Sequence, residues 1–255
     1  MYQIDAFTDR VFKGNPASVV PLDSWLDDST MQNIALENNL SETAFFVKES
    51  DRYSIRWFTP TSEVNLCGHA TLATAFVIFN YIEKESKELT FDSKSGYLKV
   101  YRDENHLTLD FPNQKPTKIE TLEIFKNAFK VEPIELLKHE DYIVVFENEQ
   151  TIKEISPELN ELKKLDLRGV IITAKGDSVD FVSRFFAPNY GIDEDPVTGS
   201  AHSQLTPYWA ERLNKTKLIA KQLSKREGDL ICELSDDRVK ISGKAIEFMQ
   251  GEINI

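Results

Sequence analysis

Cysteine is scarce in this 255-residue chain, which contains only Cys67 and Cys232. Two cysteines cannot form the disulfide framework of a small secreted scaffold, which favours a reducing compartment. Apolar runs are short as well, and the most apolar one, residues 70–79, is too short to span a bilayer. The N-terminus alternates like a strand and has no basic start or apolar signal core. These absences predict a cytoplasmic protein without a membrane partner.

Positive charge is also in short supply, with 30 Lys and Arg against 42 Asp and Glu, a formal net charge of −12. Such a field repels phosphate backbones, so nucleic acid is excluded as an expected partner. Neither the phosphate-binding loop nor the dinucleotide fingerprint occurs in the sequence. Cys67 and His69 are not joined by other Cys or His residues at ligand spacing, so no metal is expected either.

An internal repeat is the strongest pattern that is present. The segment RWFTP at residues 56–60 returns as RFFAP at residues 184–188, and CGHA at 67–70 returns as TGSA at 198–201. Glycine and aliphatic positions downstream of both segments recur in the same order. Ordered matches whose offset grows only by small insertions are typical of a duplicated domain.

The hydrophobic pattern predicts an α+β fold of two pseudo-symmetric lobes, each a curved, mostly antiparallel sheet or barrel around one central helix. The central helices are predicted at 68–81 and 199–213, and the first is apolar all round, so it must be surrounded by protein. Further helices are predicted at 28–38, 119–128 and 157–165. The first lobe is expected at residues 1–112, with the final strand, 245–255, as a candidate addition, and the second at 113–244.

Glu42 interrupts an otherwise apolar strand, LSETAFFV at residues 40–47. A lone Glu in an alternating strand usually faces solvent. The corresponding stretch of the second copy, LRGVII at 167–172, has no acid, so the repeat is broken at this point. A carboxylate held against aromatic residues suits a group that must both take and give a proton. We therefore interpret Glu42 as a candidate catalytic acid and base.

Small residues mark the start of both central helices, Gly68 and Ala70 in the first copy and Gly199 and Ala201 in the second. A single turn of this kind would be weak evidence for a site. Two at equivalent positions are more specific, because helix N-termini present free N–H groups that bind anions. These four residues are the expected binding site for a substrate carboxylate.

Three further side chains accompany these turns. His69 and Ser200 occupy equivalent positions in the two copies, and each can form a hydrogen bond to a ligand. Asp195 belongs to an acidic cluster and leads directly into the second glycine turn, so we expect it to point inward. A Cys67 thiolate at a helix N-terminus is an alternative base or nucleophile. Its counterpart, Thr198, cannot serve as a second thiol.

Four collinear motifs resemble those of the phenazine-biosynthesis PhzF-like isomerases, a family related to diaminopimelate epimerase and proline racemase. The motifs are GNPA at 14–17, LSETAF at 40–45, RWFTP with EVNLCGHAT at 56–71, and EDPVTGSAH at 194–202. The resemblance implies two like lobes with the active site in the cleft between them. It also implies catalysis without a metal or organic cofactor, and a homodimer.

By the same resemblance, the family's acid/base glutamate maps onto Glu42, and the histidine, aspartate and serine that line its site map onto His69, Asp195 and Ser200. The expected function is a cofactor-independent isomerase that moves a proton within a small carboxylate-bearing substrate. Two alternatives stay open at this point. One is a thiol-dependent amino-acid epimerase or racemase that uses Cys67, and the other is a non-catalytic protein that binds a small metabolite.

Overall fold

The computed structural model describes residues 1–120 and 122–255. The chain divides into two compact units, one of Met1–Phe111 with Ile241–Ile255 and the other of Pro112–Lys240. Both are α+β and consist mostly of strands, as the sequence predicts. Within the described ranges, no helix combines the length and the apolarity that crossing a bilayer requires.

Strands outnumber helices in both parts of the chain. From the N-terminus to the end of the first copy, the elements are β1 (Tyr2–Ala6), β2 (Asn15–Leu22), α1 (Asp28–Asn38), β3 (Glu42–Glu49), β4 (Arg52–Phe58), β5 (Glu63–Val64), α2 (Gly68–Val77), β6 (Glu88–Ser93), β7 (Gly96–Asp103) and β8 (His106–Pro112). The remainder of the chain has β9 (Thr117–Ile119), α3 (Glu123–Phe129), β10 (Glu135–Lys138), β11 (Tyr142–Val145), α4 (Glu149–Glu154), α5 (Leu159–Leu162), β12 (Val170–Lys175), β13 (Phe181–Ala187), β14 (Ile192–Asp195), α6 (Gly199–Leu213), β15 (Lys217–Gln222), β16 (Gly228–Ser235), β17 (Arg238–Gly243) and β18 (Ala245–Gln250).

The first unit is a sheet in the order β18-β1-β2-β3-β4-β6-β7-β8, with β5 added to β4. The pairs β2–β3 and β4–β6 are parallel and the others are antiparallel. Helix α2 packs against β1, β2 and β3, and almost all of its residues are buried. A π-helical turn, Ile78–Ile82, extends it. The prediction that an all-apolar helix is enclosed by protein is therefore confirmed for α2.

Helix α1 covers another part of this sheet. Its start is capped by Asp27, whose side chain accepts a hydrogen bond from the backbone N–H of Thr30. Its buried residues pack on apolar side chains of β2, β3 and β4. This core cluster consists of Val20, Met31, Ile34, Ala35, Phe45 and Phe58.

The second unit repeats the pairing scheme of the first. Its strands follow the order β9-β10-β11-β12-β13-β15-β16, with β14 added to β13. The pairs β11–β12 and β13–β15 are the parallel ones, at the same places in the scheme as in the first unit. Helix α6 has the exact bounds predicted for the second central helix and contains Pro207. The duplication read from the sequence therefore corresponds to two units with the same strand connectivity.

Two elements differ from their predictions, and a third was not predicted. The helix expected at 119–128 starts later, because 117–119 form β9 and α3 begins at Glu123; Thr121 lies outside the described residues. The helix expected at 157–165 is the single turn α5, following the separate short helix α4. The acidic cluster before the second glycine turn, for which no element was predicted, is strand β14, which pairs with β13 and whose Glu194 forms an ion pair with Arg184.

Candidate active site

Glu42 is the first residue of β3, and its side chain points into the protein. Its side chain is 12% exposed. Because side chains alternate along a strand, Glu42 shares a sheet face with Ala44 and with Ala17, its partner in the parallel pair. Both alanines are fully buried. Glu42 therefore lies on the buried face of the sheet and not on the solvent face that a lone Glu usually occupies.

His69, in the first turn of α2, meets Glu42 on this face. Its Nε2 atom is 3.1 Å from Oε2 of Glu42, and its side chain is 5% exposed. The two atoms are close, but the direction of approach is poor for a hydrogen bond. Neither atom has a hydrogen-bond partner among the described residues. A buried polar atom without a partner is costly, which makes this pair a place where a ligand's polar group would be stabilised.

The other imidazole nitrogen has two neighbours, Asn15 and Cys67. Nδ1 of His69 is 3.1 Å from Nδ2 of Asn15 and 3.5 Å from Sγ of Cys67. Asn15 begins β2 and is fully buried, and Cys67 precedes the first residue of α2. We did not single out Asn15 from the sequence as a site residue. It belongs to the GNPA motif, but its contact with His69 depends on the pairing of β2 with β3.

Burial and neighbouring groups shift the pKa values of Cys67 and His69. Burial raises the pKa of the Cys67 thiol to about 11, and the neighbouring Glu42 carboxylate adds to this, so the thiol is protonated at neutral pH. Burial alone would lower the pKa of His69, but Cys67 and Glu42 together raise it well above its ordinary value. The thiol is uncharged at neutral pH, so it contributes through its hydrogen bond to the ring, and the Glu42 carboxylate is the negative charge that favours a protonated imidazole.

Glu42, Cys67 and His69 also have side-chain atoms of the types that bind metal ions. One such atom from each of the three lies within 4.8 Å of the others. Cys67 contacts the Nδ1 side of the ring and Glu42 the Nε2 side. The three atoms are one short of the four ligands of a closed tetrahedral site. The arrangement fits proton chemistry better than a closed metal site.

The start of α2 supplies backbone donors beside these side chains. Its N-cap, Cys67, forms no side-chain capping hydrogen bond, and Thr71 is the residue whose N–H reaches the Cys67 carbonyl. The N–H groups of Gly68 and His69 therefore have no acceptor within the helix. Together with the helix dipole, they favour an anion at this end of α2.

Asp195, at the end of β14 in the second unit, is 7% exposed and points inward as predicted. The hydroxyl of Thr198 donates a hydrogen bond to its carboxylate. Gln222 of β15 fixes this segment at two points: its Nε2 donates to the Asp195 carbonyl at 2.8 Å, and its Oε1 accepts from the Thr198 N–H at 2.9 Å. Gln222 was not predicted from the sequence, because only the pairing of β13 with β15 brings it here.

Ser200 lies in the first turn of α6, between Gly199 and Ala201. It is partly exposed, and its carbonyl accepts a hydrogen bond from the Ser203 hydroxyl. The N-cap of α6, Thr198, forms no side-chain capping hydrogen bond. The first turn of α6 therefore presents free N–H groups as α2 does.

The second unit has no acid at the position equivalent to Glu42. Phe45 pairs with Arg56 in the first unit, as Ile172 pairs with Arg184 in the second. Counting back three residues from Phe45 and Ile172 aligns Glu42 with Gly169. A Cβ atom at Gly169 would lie 2.5 Å from Cζ of Phe185, so the space for a side chain is filled.

Comparison with known proteins identifies the family. The family model described as phenazine biosynthesis-like protein matches residues 4–251. The chain belongs to this family. An uncharacterized isomerase of Pseudomonas aeruginosa is 50% identical over 255 residues, which cover 100% of this chain and 98% of that protein. The resemblance read from the four motifs is confirmed, and the chain is an isomerase of the PhzF family.

Solved structures confirm the fold class. A crystal structure of a PhzF family protein from Enterococcus faecalis is 52% identical and matches with a TM-score of 0.98, over 100% of this chain and 98% of that one. A protein described as a probable proline racemase from Agrobacterium radiobacter is only 10% identical and has a TM-score of 0.67, over 100% of this chain and 92% of that one. The latter likeness concerns the fold alone.

Proposed function

We propose that this PhzF-family isomerase moves a proton within a small carboxylate-bearing substrate, with Glu42 as the general acid and base. The supporting observation is the buried contact of Glu42 Oε2 with His69 Nε2, in which both atoms lack a hydrogen-bond partner among the described residues. In the proposed reaction, a C–H bond next to a conjugated carbonyl or carboxylate breaks and its proton moves to Glu42. The electron pair shifts along the conjugated system, and Glu42 returns the proton to another carbon.

His69 supports this step electrostatically. The carbanion formed by proton removal places negative charge on a substrate oxygen. The raised pKa of His69 keeps a proton available on the imidazole at neutral pH. Nε2 faces the side on which Glu42 acts, so the ring can donate a hydrogen bond to that oxygen while Glu42 handles the carbon-bound proton.

The proposed mechanism uses one proton carrier, whereas a two-base racemase uses two. The position equivalent to Glu42 is Gly169, where Phe185 fills the space. The position equivalent to Cys67 is Thr198, a residue that cannot act as a thiol base. A single group returns the proton to the face from which it was taken, so we expect isomerisation without inversion at the reacting carbon.

We further propose that backbone N–H groups at Gly68 and Gly199 bind the anionic end of the substrate. Ala70 and Ala201 contribute small side chains at the two helix starts. Asp195 and Ser200 are proposed to orient the substrate. The buried position of Asp195 and the uncapped N-termini of α2 and α6 support these roles. We retain the prediction of a homodimer, which light scattering of the purified protein tests.

The experiment is to incubate the protein in heavy water with a panel of cyclic and unsaturated amino and hydroxy acids, and to follow them by NMR. An isomerase acting through Glu42 gives a shifted double bond or a new C–H position, with deuterium wherever the transferred proton exchanges with solvent. Deuterium at an inverted centre would indicate a racemase instead. Binding without any change in substrate hydrogens would indicate a metabolite-binding protein.

A further inference from the structure

The two nitrogens of His69 face groups of opposite hydrogen-bonding character. Nε2 lies 3.1 Å from a carboxylate oxygen of Glu42, an acceptor, whereas Nδ1 lies 3.1 Å from the side-chain nitrogen of Asn15, which can only donate. A ring nitrogen that accepts a hydrogen bond carries no proton. In a neutral imidazole the proton must then be on the other nitrogen.

We infer that Asn15 is a positioning residue that places the proton of the neutral His69 ring on Nε2, the atom that faces Glu42. This inference builds on the proposed function, since it explains how His69 can keep a donor aimed at the reacting groups. Asn15 itself is not required to touch the substrate.

The fold holds Asn15 firmly in place for this role. Gly14, the preceding residue, has φ +65°, and a Cβ there would lie 2.1 Å from the Ala6 carbonyl oxygen, so only glycine fits this turn. Asn15 then pairs with Ala6 of β1 and is fully buried. It shares a sheet face with Ala17, the partner of Glu42, because the two residues are two apart on β2.

Asn15 also opposes a second proton on the ring. The groups that face His69 are Glu42 from β3, Asn15 from β2 and Cys67 at the start of α2. Glu42 favours the protonated ring, whereas a proton on Nδ1 would meet the Asn15 amide nitrogen, which cannot accept it. The Cys67 sulfur, at 3.5 Å, is only a weak acceptor. The proton state of His69 is thus set by a balance, in which the protonated ring loses its Nδ1 proton first and the Nε2 proton stays on the side that faces Glu42.

The test is NMR of the protein labelled with ¹⁵N in its histidine rings. The chain has four histidines, and a His69→Gln variant identifies the signals of His69 by their loss. The pH is raised until the His69 ring is neutral. We expect Nε2 to show the shift of a protonated nitrogen and Nδ1 that of a bare one. A neutral wild-type ring with its proton on Nδ1 would overturn the inference, and this result needs no variant.

Two substitutions at Asn15 sharpen the test. In Asn15→Asp, an acceptor of the same size faces Nδ1, so the His69 pKa should rise by about one unit or more and the neutral ring should carry its proton on Nδ1. Asn15→Leu removes the donor at similar volume and should reduce the preference for Nε2. Asn105→Asp, on the exposed β7–β8 turn, adds the same charge elsewhere and should change neither property. A Leu variant with the wild-type tautomer and pKa would contradict the inference.

This readout requires no substrate. If Glu42 proves not to be the proton carrier but the tautomer follows Asn15, the proposed function fails and the inference holds. If exchange in heavy water depends on Glu42 but the tautomer does not change when Asn15 is substituted, the proposed function holds and the inference fails.

Discussion

Glu42 and Gly169 occupy the same register position in the two units, one a buried carboxylate and the other a residue with no room for a side chain. The pairings of Phe45 with Arg56 and of Ile172 with Arg184 define the equivalence. The two units share the same strand pairing, but only the first has an acidic residue at this position. In the proposed function, the proton carrier is therefore supplied by the first unit alone.

Substitution of Gly169 tests how firmly the second position is closed. A Cβ there would lie 2.5 Å from the Phe185 ring and 2.9 Å from the Phe186 carbonyl oxygen. We expect Gly169→Ala to lower the free energy of unfolding by about 1–3 kcal/mol, as overpacking of a core does. Phe185→Leu in the same chain should recover part of this loss. Chemical denaturation of the wild type and these two variants measures it, and an Ala variant as stable as wild type would show that the site is open.

The thiol at Cys67 should be dispensable for the chemical step. Its pKa of about 11 and its burial leave little thiolate at neutral pH, and the thiolate is the reactive form. We predict that Cys67→Ser retains activity within a few-fold, and that alkylating reagents modify the native protein slowly without abolishing turnover. Cys232, also buried, offers a matched control through Cys232→Ser. Loss of turnover in Cys67→Ser alone would favour the thiol-dependent epimerase.

His202 should make the second unit sensitive to acid. It is fully buried, its Nδ1 contacts the Thr198 carbonyl oxygen at 2.8 Å, and burial lowers its pKa to about 4. The unfolded chain, with a histidine pKa of about 6.5, binds a proton between these two values and the folded one does not. Stability is therefore full above the unfolded pKa and falls as the pH drops toward 4.

The corresponding loss is about 1.4 kcal/mol per pH unit within that window. Denaturation curves at pH 7, 6 and 5 measure it in the wild type and in His202→Asn, which keeps a polar group at the site. The variant should show a smaller slope of unfolding free energy against pH. An equal slope in both proteins would mean that His202 is not the group responsible.

The sequence predicts elements well where local signals define their ends. Helix α1 follows its Asp27 cap, and α6 starts at Gly199 and ends at Leu213 as predicted. Short elements such as β5 and β9 were not predicted, because two or three residues carry no periodic pattern. The prediction that Glu42 points inward depended on comparing the two copies, because the pattern of its own strand is ambiguous.

Contacts that depend on tertiary pairing were beyond the reach of local patterns. Asn15 reaches His69, 54 positions away in the chain, only because the parallel pair β2–β3 aligns Ala17 with Glu42. Gln222 reaches Asp195 and Thr198 because β15 pairs with β13. Both are amides that contact another candidate site residue, and such contacts have no signature in the spacing of the sequence.

The most direct measurement of the central claim compares wild type with Glu42→Gln in heavy water, using the substrate that the panel identifies. The substitution keeps the size of the side chain and removes its ability to carry a proton. We predict a loss of about 10² to 10⁴-fold in both isomerisation and deuterium incorporation, with unfolding free energy and substrate affinity nearly unchanged. Turnover and deuterium incorporation at the wild-type rate in Glu42→Gln would contradict the assignment of Glu42 as the proton carrier.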